Sequence, residues 1–258
     1  MKLEGKVVLI TGASEGIGAA CAKAFRERGA RLALTARNAE KLKQVAGGDG
    51  FSWAADLTEP DGSRTAVEKT LQHYGRIDVL VNSAGVGLYA PACDAPLSQA
   101  QALFDLNFFA LLETVQQVVP IMRSQRSGTI VNISSIAGML TLPWLTLYSA
   151  SKHAVCSLTE GLRMELRPDG IHAMCVCPGY VSTGFQSHVL AGTPPVGLQR
   201  KRPLSITPAQ CARAVVRGVE RNARTVVTPS AGWLAVMAAR FLPAIVERRL
   251  EQVYREGA

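Results

Sequence analysis

No stretch of this sequence reaches the ~18 uninterrupted apolar residues that a membrane-spanning helix requires. The opening Met1-Lys-Leu-Glu-Gly-Lys6 lacks the apolar region of a secretory signal and runs straight into a strand pattern, so a cytoplasmic location is expected. Cys-x-x-Cys pairs are absent, and the six cysteines (21, 93, 156, 175, 177 and 211) have no histidines at ligand spacing. That pattern excludes the common zinc and redox motifs. Cys175 and Cys177 alternate along an apolar run and read as buried thiols on one side of a strand, with no metal site expected. Aromatic residues are only 6% of the chain, and neither a recognition motif nor an interleaved aromatic platform for nucleic acid occurs. Charge is also sparse, 19% against 48% hydrophobic residues, which marks an ordered rather than a disordered chain. Composition breaks, repeats and low-complexity segments are missing, so the 258 residues read as one domain with ample core.

The charge that is present is uneven. The net charge is +8, and residues 200–258 carry 11 Lys/Arg against 4 Asp/Glu, so nearly all the excess lies in the C-terminal quarter. A solvated basic surface accounts for this, as does contact with an anionic membrane surface.

Short β-branched and aliphatic runs alternate with longer helical patterns. Strands are predicted at 6–11, 31–36, 50–55, 77–82, 128–134, 171–177 and 224–228. Helices are predicted at 16–28, 38–46, 60–74, 98–125, 148–167, 207–221 and 233–254. The alternation implies an α/β fold: a Rossmann-type, doubly wound, seven-stranded parallel sheet with helices on both faces. Ligands of such sheets bind outside the carboxyl ends of the strands. The polar and glycine-rich signals fall there: Thr11–Gly18, Asp56, Asn82–Gly85, Ser134–Ser135 and Pro178–Thr183.

Thr11-Gly-Ala-Ser-Glu-Gly-Ile-Gly18 follows the first strand and opens the first helix. Gly12 permits a tight turn, while Gly16 and Gly18 allow close approach of a pyrophosphate and close helix packing. Ser14, Glu15 and Ile17 complete this candidate nucleotide turn. At the end of the second strand an acidic residue would bind the ribose 2′-hydroxyl of NAD. The chain reads Thr35-Ala36-Arg37-Asn38 instead, and Arg37 suits the 2′-phosphate of NADP(H). Glu15 works against this reading, since a basic residue there would help hold the phosphate.

Tyr148 and Lys152 lie four residues apart, on one face of a predicted helix, and Ser135 precedes Tyr148 by thirteen residues. A free phenol has a pKa of about 10, and a neighbouring ammonium would lower it. With a serine holding a substrate oxygen, this set suits proton transfer to or from an alcohol or carbonyl oxygen.

Together these pieces resemble the short-chain dehydrogenase/reductase family, over residues 5 to about 228 and in the family's order and spacing. The resemblance rests on Thr11–Gly18, Asp56-Leu-Thr58, Asn82-Ser-Ala-Gly85, Asn107, Ser135, Tyr148, Lys152 and Pro178-Gly-Tyr-Val-Ser-Thr183. It implies hydride transfer between a nicotinamide, with NADP(H) preferred over NAD(H), and a ketone, aldehyde or secondary alcohol. Tyr148 would be the general acid in reduction and the base in oxidation. Lys152 would lower its pKa and bind the nicotinamide ribose, Ser135 would orient the substrate oxygen, and Asn107 would hold a relay water. Asp56 and Leu57 would contact the adenine. Asn82, Ala84 and Gly85 would shape the cofactor floor, and Pro178, Gly179, Val181 and Thr183 would line the nicotinamide. Ser83 stands where the family usually has a second asparagine. Family members are often dimers or tetramers through helices matching 98–125 and 148–167.

Glycines and prolines between 184 and 206 suggest a substrate lid. Met139, Leu140, Leu142, Pro143 and Trp144 border the expected substrate position, which points to a hydrophobic small molecule or to core packing under the lid. The 230–258 extension repeats Leu234, Met237, Phe241 and Ile245 at helical spacing, with Pro243 breaking the helix. It fits a helix docked on its own domain or on a second subunit, or a peripheral membrane contact for an enzyme of lipid, steroid or acyl substrates. A nucleotide-binding regulatory or scaffold protein without turnover is a further alternative. The complete Asn107, Ser135, Tyr148 and Lys152 set argues against it.

Overall fold

The structure is a computed structural model that describes residues 1–47, 50–185, 189–192 and 205–255, the side chains of 253–255 excepted. Seven strands form one parallel sheet: β1 (Val7–Thr11), β2 (Arg31–Ala36), β3 (Phe51–Ala54), β4 (Val79–Asn82), β5 (Gly128–Ile133), β6 (Ile171–Pro178) and β7 (Thr225–Thr228). Their order is β3-β2-β1-β4-β5-β6-β7. The chain runs outward from β1 to β3, then returns to place β4 on the other side of β1. The strand order therefore reverses between β1 and β4, and a crevice opens at their carboxyl ends.

Alternation along the strands splits the core in two. Val8 and Ile10 point to the face covered by α1 (Gly16–Arg26), α2 (Ala39–Ala46) and α7 (Pro208–Glu220), where Phe25, Leu42 and Val215 are buried. Leu9, Leu80 and Ile130 point to the opposite face, packed by α3 (Gly62–Tyr74), α5 (Ala110–Gln125) and α6 (Thr146–Glu165) through Val67, Val115, Met122 and Val155. Burial on both faces explains why β1 and β4 read as the apolar runs Val7–Ile10 and Val79–Val81. One charge is set into this frame. The buried Asp78 carboxylate accepts from Arg76 (2.6 and 2.9 Å), from Lys6 (3.1 Å) and from the Val7 N–H (2.9 Å), tying the start of β1 to the start of β4.

All seven strands lie where periodicity placed them, and the helices differ in informative ways. The run expected as one helix at 98–125 consists of α4 (Leu97–Phe104), a π turn (Asp105–Phe109) and α5. Among the described residues it is the one helical run long and apolar enough, by length and composition, to cross a membrane. Its inward residues, among them Leu111, Val118 and Met122, belong instead to the core of this domain. The final helix breaks before Pro243 as expected, giving α8 (Gly232–Phe241) and α9 (Pro243–Arg255). α7 starts on a capping box, with Thr207 and Gln210 each bonding the other's backbone N–H. Most of the expected lid at 184–206 lies outside the described residues.

Candidate active site

At the reversal between β1 and β4 lies a cleft of about 530 Å³. Its walls come from the carboxyl ends of β1, β2, β4, β5 and β6, the locations that the sequence signals share.

At one end the β1–α1 turn curls beneath the β4 loop. Gly12 has φ +64°, and a Cβ there would lie 2.7 Å from the Ala84 backbone, so neither the conformation nor the space admits a side chain. The Thr11 hydroxyl accepts from the Ser83 and Ala84 N–H groups at 3.1 and 3.3 Å and fixes the two loops together. Ser14, Glu15, Gly16 and Ile17 line the cleft beside Arg37, Asn38, Asp56 and Leu57. Arg37 stands 3.9 Å from Asp56 and is largely exposed. Burial of Asp56 opposes its ionisation, yet bonds from the Thr58 N–H and hydroxyl, with Arg37 nearby, hold the carboxyl below its ordinary range.

Lys41, which the sequence reading missed, also lines this end and pairs with Glu15 at 2.8 Å. It sits one turn into α2, where the Asn38 side chain caps the helix by accepting from the Lys41 N–H at 2.9 Å. The Glu15 carboxylate, counted from sequence as a charge opposing a phosphate, therefore has a cation beside it. The capping residue of α2, visible in sequence, was the available signal for Lys41.

At the other end, α6 carries Tyr148 and Lys152 on its buried face. The Lys152 ammonium lies 5.7 Å from the Tyr148 ring centre and donates to the Ile133 carbonyl at 3.1 Å. Ser135 lines the same end of the cleft, its hydroxyl accepting from the Ala137 N–H at 3.1 Å and favouring the ionised form of the Tyr148 phenol. Ser134, on the neighbouring position of the chain, turns to α6 and donates to the Lys152 carbonyl at 2.9 Å. Burial pushes the phenol up to about 12, with Ser135 pulling the other way. The phenol is thus raised, against the lowering expected from Lys152, whose ammonium donates to Ile133. Burial likewise pulls Lys152 down to about 8.

Asn107, Asn82 and Gly18 do not line the cleft. Asn107 sits on the π turn, fully buried. Its amide oxygen accepts from the Val86 N–H at 2.9 Å, and its NH₂ donates to the Val86 carbonyl (3.0 Å) and to Ser151 (3.2 Å). That side chain is a clamp on the β4 loop. Gly85 fits between it and the lysine, since a Cβ there would lie 3.0 Å from the Asn107 amide oxygen and 3.4 Å from the Lys152 ammonium nitrogen. Asn82 is buried inside the sheet, donating to Asn132 at 2.9 Å, rather than forming a cofactor floor. Gly18 packs against Gly12 in the turn.

Pro178, Gly179, Val181 and Thr183 line the wall opposite α6. Apolar contacts at this end come from Tyr89, Leu106, Leu142, Leu145 and Phe185, the last 5.8 Å from the Tyr148 ring. Of the five residues expected to border a substrate, only Leu142 does. Met139, Leu140 and Pro143 face a separate groove under α8 and α9, and Trp144, at φ +63°, lines neither.

A family model described as short chain dehydrogenase matches residues 6–193. The chain belongs to that family. Among curated short-chain dehydrogenase relatives, 11-beta-hydroxysteroid dehydrogenase 1A of Arabidopsis thaliana is 35% identical over 99% of this chain and 77% of its own. Dehydrogenase/reductase SDR family member 7B of Xenopus laevis is 31% identical, covering 94% of this chain and 80% of its own. A Burkholderia phymatum short chain dehydrogenase/reductase solved in complex with NAD superposes with a TM-score of 0.86 at 25% identity, covering 95% and 96% of the two chains. A Sphingobium yanoikuyae short-chain dehydrogenase in complex with NADPH gives 0.78 at 31% identity, covering 91% and 93%. The chain is therefore a short-chain dehydrogenase/reductase oxidoreductase whose structural neighbours bind nicotinamide cofactors. The glycine cradle at Gly12 and Gly85 and the cations at Arg37 and Lys41 suit such a group.

Proposed function

We propose that this chain is an NADP(H)-preferring oxidoreductase acting on a hydrophobic ketone, aldehyde or secondary alcohol. The observation that carries the reading is the placement, in one cleft, of a buried protonated phenol among apolar side chains and of two cations about the β2 end. A bound nicotinamide supplies or takes up the hydride. Arg37 and Lys41 would hold the 2′-phosphate, the Gly12–Gly18 turn the pyrophosphate, and Asp56 and Leu57 the adenine. Ala84, Gly85, Pro178, Gly179, Val181 and Thr183 would enclose the nicotinamide. Ser135 positions the substrate oxygen, Tyr148 gives it a proton in reduction and takes one in oxidation, and Lys152 supports the charge. Asn107 acts through Val86 as a positioning residue. The apolar lining and a relative named for hydroxysteroid oxidation support a hydrophobic substrate.

A carbonyl substrate panel followed by NADPH absorbance, with NADH run in parallel, tests this. NADPH should give the higher kcat/KM. Arg37→Ala should cost NADPH about tenfold to a hundredfold, the worth of a charge-assisted contact, and leave NADH nearly unchanged. A clear NADH preference in the unmodified enzyme defeats the cofactor assignment.

The exposed apolar face of α8 and α9 supports a second element, peripheral contact with an anionic membrane. Assembly as a homodimer or homotetramer through α4–α5 and α6 is supported by exposed Leu97, Phe109 and Met164.

A further inference from the structure

Behind Lys152, outside the cleft, three thiols meet. Cys156 projects from α6 onto Cys175 and Cys177 of β6. The sulfur separations are 3.5 Å (156 to 175), 3.8 Å (156 to 177) and 3.7 Å (175 to 177). Cys175 and Cys177 are buried. Cys156 is half-buried and lines a groove of about 800 Å³ between α6, β6 and the C-terminal helices α8 and α9. Packing alone would account for one or two buried thiols as small apolar side chains. It does not account for three sulfurs in mutual contact beside a groove that also holds His153, Glu160 and Glu247.

We propose that Cys156, Cys175 and Cys177 form a three-thiolate site for a single soft or borderline d¹⁰ divalent ion of the zinc type, its fourth coordination position open to the groove. The sulfur spacing fits such an ion. A zinc–sulfur bond is about 2.3 Å, so two sulfurs at tetrahedral positions lie about 3.8 Å apart. The three observed edges of 3.5, 3.8 and 3.7 Å are those of one face of such a tetrahedron. Thiolate ligands select zinc-like ions over magnesium or calcium, which take oxygen. The Ser134 hydroxyl, which donates to the Lys152 carbonyl at 2.9 Å, lies 3.2 Å from the Cys156 sulfur and can turn its proton to a thiolate there. Charge also balances. Three thiolates and a divalent ion leave one negative charge, and the cationic Lys152 stands one turn before Cys156 on α6. Binding replaces the thiol protons and involves no electron transfer.

The test uses the full chain carrying Cys93→Ser, which removes the one exposed thiol among the described residues. Cd²⁺ is added alone, then displaced by Zn²⁺, and ultraviolet cadmium–thiolate charge-transfer absorption is followed. One Cd²⁺ per chain is expected, displaced by one Zn²⁺, with Cys156 protected from alkylation in peptide maps. Cys156→Ser and Cys177→Ser should each weaken binding about a hundredfold or more, beyond the 10–100-fold typical of losing an outer partner. The maps give a readout should either variant fail to fold. Absence of stoichiometric thiolate absorption, alkylation of Cys156 unaffected by Cd²⁺, or binding that survives both substitutions overturns the site. None of these readouts depends on oxidoreductase turnover.

Discussion

Tyr148 sits where burial and catalysis make the same demand. A phenol raised to about 12 keeps its proton at neutral pH and is ready to donate it to a substrate oxygen. Tyr148→Phe should therefore lower kcat by about 10²–10⁴-fold while NADPH still quenches or enhances protein fluorescence with an unchanged Kd. Turnover retained in that variant would remove Tyr148 from the mechanism. Lys152 adds a pH signature. Its pKa is depressed to about 8 by burial, so the cation is present below that pH and lost above it. Reductive kcat/KM should hold steady below about pH 8 and decline above it, well before the phenol titrates. A rate of reduction that climbs through this range would contradict the assignment of Tyr148 as acid and Lys152 as its supporting charge.

Among the elements, α6 does the most. One helix carries Tyr148 and Lys152 toward the cleft, Ser151 toward the Asn107 clamp and Cys156 toward β6. The π turn at Asp105–Phe109 is the complementary device. It interrupts 29 residues of otherwise regular helix at the point where Asn107 reaches Val86. The C-terminal helices are bound less completely. Gly232 and Val236 dock α8, but Leu234, Met237, Phe241, Leu242 and Ile245 remain exposed, next to Arg240, Arg248 and Arg249. Docking on its own domain, one of the sequence expectations, accounts for Gly232 and Val236 and leaves that stripe uncovered. The full chain should float with anionic vesicles at low salt and detach as salt rises, because screening weakens the arginine contribution. Leu234→Glu with Phe241→Glu should abolish flotation without lowering the melting temperature, since both positions are exposed. Flotation equal in the two proteins would reject this surface as a membrane contact.

At the scale of the whole molecule, the parallel sheet depends on joining β1 to β4, whose division creates the cleft. Asp78 makes that joint. Burial resists its ionisation, but Arg76, the Val7 N–H and Lys6 overcome it, so the carboxyl is held below its ordinary value. A depressed carboxylate contributes stability above its unfolded pKa and loses it as pH falls through the lower folded value. Asp78→Asn should cost about 1.5–3 kcal/mol at neutral pH, the worth of a hydrogen bond to a charged group. It should also flatten the acid limb of the stability curve. Urea unfolding across a pH series checks both, and an acid limb as steep as in the parent would show that Asp78 is not its source.

Strands buried on both faces leave a simple mark in sequence, and so do glycines that no side chain could replace. For that reason the sheet and the Gly12–Gly18 turn were legible from the order of residues, while Ser135, Tyr148 and Lys152 stood out through the family resemblance. Their spacing is local, or set by one repeated strand–helix unit. Side-chain partners across elements are not local. Lys41 met Glu15, Asn107 closed on Val86, Asn82 turned into the sheet, and Met139, Leu140 and Pro143 faced a different groove only because separate segments packed together. Cys156 lies nineteen residues from Cys175, too far for any spacing rule, and α6 lying along β6 brings their sulfurs to 3.5 Å. The sequence by itself determined the α/β architecture and the glycine turn, because periodicity and turn chemistry act over a few residues, and the family resemblance singled out Ser135, Tyr148 and Lys152. Only the tertiary structure decided which way each polar group pointed, because direction depends on neighbours that the chain supplies from elsewhere.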